Sequence, residues 1–395
     1  MTHRPSRLRA ARLGVATVFG VLSTCGAALI APSTRPASPP SAPRDVAFSQ
    51  SAQAVDAYDF VQVTAALASP DGGNPFTDAA LTGWFETADG SRRWTVEGFC
   101  DAEDGSVYRI RFMPPKPGDY RYSVVYRQGN FEKTFEGTFH ANDGRRRGPI
   151  RVDPQYPWHF IWEGTGEHYF FNGTTAYWLM GWKEDRIIDY SLERLHRLKI
   201  NRLRVTIAGR TNTFYGEPVI GDKFTVYLTP WSAKLPADIY HPGFDYTRFH
   251  VAYWQKFERA LRFARDRDMI ISLVLDMNDS KVHPAAGGED EHRFIHYAID
   301  RFAAFSNITW DLGDDLDQYR DDRWTHQTGG LIKQWDPYRH LATSHPVDNV
   351  HQDRASDWFD FTSFQEWSRN QHAFMLSQRR QQHATGRIIP QTNEE

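Results

Sequence analysis

The stretch Met269-Ile270-Ile271-Ser272-Leu273-Val274-Leu275 decides the fold class, because it is an almost unbroken apolar run of strand length. A strand with one face in water alternates apolar and polar residues, whereas a strand of a parallel sheet is covered on both faces. The stretch therefore predicts a central strand of a parallel sheet that is packed on both sides.

Helical and strand-like patterns alternate on either side of this strand. Residues 251–267 and 293–305 keep apolar side chains at helical intervals, and residues 191–198 predict a helix capped by Ser191. Six further strands are predicted at residues 168–173, 202–207, 307–312, 341–344, 359–364 and 387–390. This order predicts an α/β TIM-type (β/α)8 barrel over residues 149–395. Its eighth strand is missing from the sequence, so we expect the barrel to be truncated after strand seven or its gap to be covered by something else.

Residues 55–142 show a different pattern of short strands separated by turns. The predicted strands are residues 60–64, 80–85, 94–96, 107–112, 120–126 and 134–139. This density of strands predicts an N-terminal all-β immunoglobulin-like sandwich. Pro117-Gly118-Asp119-Tyr120 resembles the corner at which such domains anchor a tyrosine, and a basic connector at residues 144–149 leads to the barrel.

The first residues predict a targeting segment. Arg4, Arg7, Arg9 and Arg12 precede an uncharged apolar run at residues 13–31, and a Pro/Ser/Ala-rich linker follows at residues 32–54. Residues 1–31 therefore predict a signal peptide or an N-terminal membrane anchor, and the protein is expected to be exported: periplasmic, extracellular or anchored. A run of about 19 residues is long for a signal peptide and just spans a bilayer, so cleavage and retention both stay open.

The composition excludes several classes of function. With 46 Lys and Arg against 49 Asp and Glu, the chain has no strong field for nucleic acid or an anionic membrane. The two cysteines are Cys25, inside the targeting run, and Cys100, so a cysteine-based metal site is excluded. His292 and His296 are spaced to share a metal, but the sequence offers no third ligand and an ordinary outer helix is favoured. We predict neither a cofactor nor a metal, and the sequence leaves the oligomeric state undetermined.

Two acidic clusters follow predicted strands. Asp314 and Asp315 come after the strand at residues 307–312, and Glu394 and Glu395 come after the strand at residues 387–390. The carboxyl ends of barrel strands meet at one rim, and a pair of carboxyl groups on one rim is what glycosidic bond cleavage needs. The residues alone leave two alternatives open: the first cluster could cap the helix that begins near Asp321, and the second could be a solvated tail.

Side chains predicted to contact a sugar lie near the same rim. Sugar rings stack on aromatic faces, and the candidates are Tyr177, Trp178, Trp182, Trp310 and Trp367. His345 and Gln365, with Glu366, follow two further strands and could bond ring hydroxyls. Arg204 could orient a carboxylate or form a buried ion pair, and Asp311 is predicted to be a structural hydrogen-bonding group.

The chain resembles two known families. Residues 55–142 resemble the immunoglobulin-like domain of unknown function found ahead of bacterial glycosidase barrels, through Asn74-Pro75-Phe76 and residues 117–120. From Gly148 onwards the chain resembles the apiosidase-like glycoside hydrolases, which are related in architecture to retaining cellulase-type barrels. The matching stretches are residues 171–178, 307–315 and 390–395.

The resemblance implies roles for the two acidic clusters. It places the proton donor after strand four, at Asp315, and the nucleophile at the end of strand seven, at Glu395; Asp314 and Glu394 could displace either role by one position. Cellulase-type relatives carry Asn-Glu where this chain has Asp-Asp, so a shorter side chain must reach the same oxygen.

The implied function is an exported glycoside hydrolase that cleaves a poly- or oligosaccharide by a retaining double displacement, with a carbohydrate as its partner. An inverting mechanism is an alternative, and the separation of the carboxyl groups distinguishes the two. A glycan-binding protein without turnover, or an inactive truncated barrel, is the alternative from another class.

Overall fold

The structure is a computed structural model that describes residues 45–70, 73–211, 223–280, 282–347 and 355–394. The predicted targeting segment, most of the linker and Glu395 lie outside the described residues. The described strands are β1 (Val46–Gln50), β2 (Ala54–Asp56), β3 (Val61–Leu67), β4 (Ala79–Thr87), β5 (Arg93–Glu97), β6 (Phe99–Cys100), β7 (Val107–Phe112), β8 (Gly118–Gln128), β9 (Phe131–Asn142), β10 (Ile150–Val152), β11 (Phe160–Trp162), β12 (His168–Tyr169), β13 (Gly173–Thr175), β14 (Arg202–Thr206), β15 (Trp231–Ala233), β16 (Phe244–Phe249), β17 (Ile270–Val274), β18 (Ile308–Asp314), β19 (Ala342–His345), β20 (Thr362–Phe364) and β21 (Gln391–Asn393). The described α-helices are α1 (Asp185–Arg197), α2 (Val251–Arg265), α3 (Glu289–Phe302), α4 (Asp322–Trp335) and α5 (Gln371–Thr385).

The N-terminal part is a sandwich of two sheets, ordered β1-β3-β7-β6 and β2-β9-β8-β4-β5. Alternation along β3 turns Val61, Val63 and Ala65 into the core. Phe85 of β4 stacks on Phe112 of β7 with ring centroids 4.6 Å apart, which joins the two sheets. The predicted strands are all present, and the sequence pattern missed the short strands β1, β2 and β6.

The corner predicted at residues 117–120 has the expected hydrogen bond. The Tyr120 hydroxyl donates to the carbonyl of Lys116 at 2.8 Å, four residues upstream. The ring of Tyr120 is buried and stacks on Phe139 at 5.2 Å. This contact fixes the point at which the chain enters β8.

The second part contains seven parallel strands that follow the order of the chain. Strands β13-β14-β17-β18-β19 form one parallel sheet, and β20 pairs with β21. β20 lies beside β19, because His345 Nδ1 is 2.8 Å from Ser363 Oγ and Thr343 Oγ1 donates to the Phe361 carbonyl at 2.7 Å. Among the described residues these strands do not join into one closed barrel.

Three predicted elements need correction. The strand predicted at residues 168–173 is divided, since β12 belongs to an antiparallel sheet with β10 and β11 and the first parallel strand is β13. The last strand begins after residue 390 rather than at residue 387, because Pro390 has no N–H to donate to a ladder and Arg387 anchors a loop on the Ser356 and Phe359 carbonyls. Ser191 lies inside α1, where its hydroxyl donates to the Ile187 carbonyl, and so it is not the cap.

Buried ion pairs connect the sandwich to the helices of the second part. Arg111 of β7 donates to both carboxylate oxygens of Glu258 in α2, at 2.9 and 2.8 Å. Arg301 of α3 donates to Asp101 at 2.5 Å. All four side chains are at most 10% exposed, so the two parts are joined by charged groups that are largely shielded from water.

Within the described ranges, the helices are all too short or too polar to satisfy the requirements of a membrane-crossing segment.

Candidate active site

Arg204 is the centre of a buried charge cluster. From β14, its Nε lies 3.0 Å from Asp311 Oδ2 and 3.3 Å from Glu394 Oε2, while its Nη2 donates to Asp314 Oδ1 at 3.0 Å. The guanidinium side chain is 2% exposed. One cation therefore holds together carboxylates from β18 and from the residue that follows β21.

Strand geometry explains how two aspartates three positions apart reach the same cation. Regular alternation would send Asp311 and Asp314 to opposite faces of β18. The pairing of β18 with β19 shifts register between these residues, and such an irregularity changes which face the later side chain meets. Asp311 points away from Trp310, and Asp314 meets Asp311 at Arg204.

Arg202 is a second buried cation that the sequence analysis missed. It lies two residues before Arg204 on β14 and therefore shares its face. Its Nη1 is 2.6 Å from Glu394 Oε1, which also accepts a hydrogen bond from Thr392 Oγ1 at 2.7 Å. Alternation along β14 was the signal that could have identified it.

The cluster pushes the pKa values of two carboxyl groups in opposite directions. Burial acts to raise the pKa of Glu394, but Arg202 and Arg204 outweigh it and hold the pKa below its ordinary value. Burial raises the pKa of Asp311 to about 6, and the attraction of Arg204 only partly offsets it. Glu394 is therefore ionised at neutral pH, whereas Asp311 has a pKa close to neutral pH.

Tyr177 and His345 complete the surroundings of Asp314. The Tyr177 hydroxyl donates to Asp314 Oδ1 at 2.7 Å and accepts from Arg204 Nη1 at 2.7 Å. His345 Nε2 lies 3.7 Å from the same oxygen. Trp178 is half-buried beside Tyr177, and the guanidinium of Arg210 lies 4.0 Å from its ring centroid.

Asp315 leaves the strand in a different direction from Asp314. It has a φ of 53°, in the left-handed region, and it precedes a single 3₁₀ turn. A left-handed residue turns the chain sharply, and for a residue other than glycine it is uncommon. Asp315 is half-buried, whereas the Asp314 side chain is 9% exposed. Asp321 caps α4 through its own side chain, so capping does not account for Asp314 and Asp315.

The remaining predicted contact residues divide between rim and core. Gln365 and Trp367 follow β20, and the indole of Trp367 is 74% exposed. The N–H of Glu366 donates to Asn393 Oδ1 at 2.9 Å, which ties the ends of β20 and β21 together.

Two predicted tryptophans have other contacts. Trp310 is fully buried and donates to Asp336 at 3.0 Å, so it belongs to the core, because alternation turns it away from Arg204. Trp182 is half-buried and packs on Phe224.

The third parallel strand also delivers an acid that the sequence analysis missed. Asp276 follows β17, and its Oδ1 is 2.5 Å from His283 Nδ1 while its Oδ2 accepts from Arg320 at 3.0 Å. The N–H of Asp314 donates to the Asp276 carbonyl at 3.1 Å. The neighbouring strands β14, β17 and β18 thus all carry charged side chains at this edge of the sheet.

Carboxylates from several parallel strands gather at one edge of the sheet, on a fold of the glycoside hydrolase type. The comparisons agree. Residues 159–395 match the family described as the apiosidase-like catalytic domain, and residues 54–127 match a domain of unknown function, DUF5060. The chain belongs to the apiosidase-like family, with the DUF5060 domain ahead of the catalytic one. The predicted family is therefore confirmed.

Two solved structures of glycoside hydrolases align with this chain. A putative glycoside hydrolase from Bacteroides vulgatus aligns with a TM-score of 0.67 at 24% identity, over 80% of this chain and 60% of its own. A glycoside hydrolase family 5 protein from the same organism aligns with a TM-score of 0.44 at 19% identity, over 63% of this chain and 53% of its own. This chain thus spans 60% of the length of the first structure, and their likeness establishes the fold. Comparison with curated proteins found no match.

Proposed function

We propose that the protein is an exported glycoside hydrolase that cleaves a poly- or oligosaccharide by a retaining double displacement, at the rim of a TIM-type (β/α)8 barrel. Family membership supports hydrolysis of a glycosidic bond in a carbohydrate substrate. Seven parallel strands in chain order support the barrel. The observation that carries the proposal is the joint contact of Arg204 with Asp314 and Glu394, since it brings both acidic clusters to one cation.

Within each acidic pair, the first residue binds the buried arginines. Asp314 accepts hydrogen bonds from Tyr177 and Arg204, and Glu394 is 1% exposed with both oxygens facing arginine. A nucleophile needs an accessible lone pair, and a general acid needs access to the leaving oxygen. We therefore assign the reacting roles to the second residue of each pair, Asp315 and Glu395, and give Asp314 and Glu394 positioning roles.

The reaction then has two balanced steps. The Glu395 carboxylate attacks the anomeric carbon while Asp315 gives its proton to the departing oxygen, which leaves as an alcohol and a glycosyl ester remains. In the second step Asp315 takes a proton from water, the hydroxide forms a bond to the anomeric carbon, and Glu395 leaves as a carboxylate. Two inversions give net retention.

Rim side chains supply sugar contacts in this proposal. Tyr177, Trp178 and the exposed Trp367 offer aromatic faces to the C–H faces of sugar rings. The half-buried Gln365 offers polar atoms to ring hydroxyls. His345, predicted to do the same, is fully buried against Ser363, so its predicted sugar contact is wrong. Export rests on residues 1–31, whose arginines precede an apolar run.

Trapping tests the nucleophile. The full chain is incubated with a panel of activated 2-deoxy-2-fluoro glycosides, and labelled peptides are mapped by mass spectrometry. Label on Glu395 is expected, and label on Glu394 would move the role by one position. Label elsewhere contradicts the assignment of the second acidic cluster.

Product stereochemistry tests the mechanism. Proton NMR of the first product formed from a cleaved glycoside should show the anomer of the substrate. The opposite anomer would establish inversion, which uses a wider carboxyl separation of roughly 6.5 to 9.5 Å. Binding of glycans on an array, with no release of reducing ends from any bound glycan, would favour a binding protein over an enzyme.

A further inference from the structure

A cleft lies where the sandwich meets α3, and the proposed function does not use it. Its volume is about 490 Å³, and its lining includes Glu97 from β5 together with His292, His296 and Asp300 from α3. His296 and Asp300 are one turn apart and therefore share a helix face. Two separate parts of the chain thus contribute ligand-type side chains to one cleft.

The geometry of three of these side chains suits a metal ion. His296 Nδ1 lies 3.1 Å from Asp300 Oδ2 and 4.0 Å from Glu97 Oε2, and the ligating atoms of all three residues lie within 4.8 Å of one another. When ligand atoms lie about 2.0 to 2.2 Å from one ion, their separations from one another are close to those measured between these three side chains. Small side-chain movements would therefore bring all three within reach of one ion. The side chains are 53%, 28% and 13% exposed for Glu97, His296 and Asp300, which leaves a path from solvent.

The charge of this cluster is not balanced by the protein. Among the described residues, neither Glu97 nor Asp300 has a lysine or arginine within ion-pair distance, and both carboxylates share the single imidazole of His296. The nearby cations are committed elsewhere, Arg293 to Asp290 and Arg301 to Asp101 and Glu258.

We propose that Glu97, His296 and Asp300 bind a divalent transition-metal ion, with Zn²⁺ as the first candidate, and that the ion fastens the sandwich to α3. An imidazole nitrogen with two carboxylate oxygens favours Zn²⁺ over Mg²⁺ or Ca²⁺, which prefer all-oxygen sites. Water from the cleft completes the coordination. The third ligand comes from the sandwich, which explains why His292 and His296 alone gave no convincing site in the sequence.

Calorimetry tests the site. The full chain, without a histidine tag and freed of metal by a chelator, is titrated with ZnCl₂, and about one ion per chain should bind with micromolar or tighter affinity. The variants E97Q, H296Q and D300N should each weaken binding at least about tenfold, since each removes a ligand. H241Q is the matched control, because His241 and Asp238 form an exposed pair at 3.9 Å on the surface, and its affinity should equal that of the wild type.

A measurement on the wild type alone guards against variants that fold poorly. X-ray absorption of the zinc-loaded chain should show nitrogen and oxygen ligands at about 2.0 to 2.2 Å with the scattering pattern of one imidazole. At the same zinc concentration, zinc should also raise the melting temperature of the wild type more than that of E97Q, in which the sandwich no longer contributes a ligand. Absence of binding to the wild type, or binding that all three variants retain, would overturn the proposal.

Discussion

Arg204 Nε and Glu394 Oε2 lie 3.3 Å apart, which connects the second parallel strand directly to the residue that follows the seventh. The contact is buried on both sides, with side-chain exposures of 2% and 1%. Since Arg204 also holds Asp311 and Asp314, the acids of two distant segments are fixed by one guanidinium. Arg204 therefore determines the relative positions of the acidic segments in the candidate site.

Replacing Arg204 should destabilise the protein strongly. R204M leaves Asp311, Asp314 and Glu394 buried without their shared cation, and loss of one partner of a buried pair costs roughly 3 to 5 kcal/mol. Urea unfolding measures the loss. R197M is the control, because Arg197 is 75% exposed in its pair with Glu193, and it should cost less than about 1 kcal/mol. Equal losses of stability in R204M and R197M would show that Arg204 does not stabilise the acidic cluster.

The two aspartates at the end of β18 should behave differently when they are changed to asparagine. D315N should reduce hydrolysis of alkyl or oligosaccharide substrates by roughly 10² to 10⁴-fold, the usual contribution of a general acid, and should lower stability less than D314N does. Aryl glycosides with acidic leaving groups should be spared, because they need no protonation. D314N should lower stability, since Arg204 and Tyr177 lose a charged acceptor.

Steady-state rates on both substrate classes and melting temperatures separate these roles. Leaving-group dependence that appears in D314N but not in D315N would transfer the proton donor to Asp314.

Local sequence patterns predicted most of the strands of this fold. Strand-like segments separated by turns identified the long strands of the sandwich, and an unbroken apolar run identified the buried strand β17. Short strands such as β1 and β6 escaped because a few residues carry too little pattern, and their pairing depends on partners distant in the chain. The strand predicted at residues 387–390 was misplaced for a local reason, the missing N–H of Pro390.

The candidate site was harder to predict than the strands. Strand order was enough to place both acidic clusters at carboxyl ends, but side-chain roles depended on contacts between strands. Asp314 joins Arg204 through a register shift between β18 and β19, which no local pattern reveals. Arg202 was detectable from its alternation with Arg204. The approach of Glu97 to His296 was not detectable, because it depends on how the sandwich packs against α3.

The charged junction between the sandwich and the helices should weaken in acid. Burial acts to raise the pKa of Glu258 and of Asp101, but arginines outweigh it and hold both below their ordinary values. A lowered pKa in the folded state contributes stability that is complete above the unfolded value, 4.5 for glutamate, and is lost as the pH falls through the lower folded value.

The variant E258Q tests this junction. It should be less stable than the wild type by roughly 3 to 5 kcal/mol at pH 7, because Arg111 and Arg301 lose a negatively charged acceptor, and the difference should shrink below about pH 4. Thermal unfolding from pH 7 to pH 3 measures it. E132Q, in the exposed pair with Arg127, should follow the wild type at every pH. A constant difference between E258Q and the wild type would mean that packing rather than charge is lost.

Two adjacent glycines in α4 should respond oppositely to alanine. A Cβ on Gly329 would lie 2.1 Å from the ring of Trp358, so G329A must push α4 away from that indole and should cost roughly 1 to 3 kcal/mol. A Cβ on Gly330 would meet no atom within 4 Å, and alanine should stabilise the helix by about 0.5 to 1 kcal/mol. The substitution is identical, and therefore helix propensity cancels between the variants. The difference in unfolding free energy, measured in urea, isolates the packing of α4 on Trp358, and equal shifts of the two variants would show that this contact is not close.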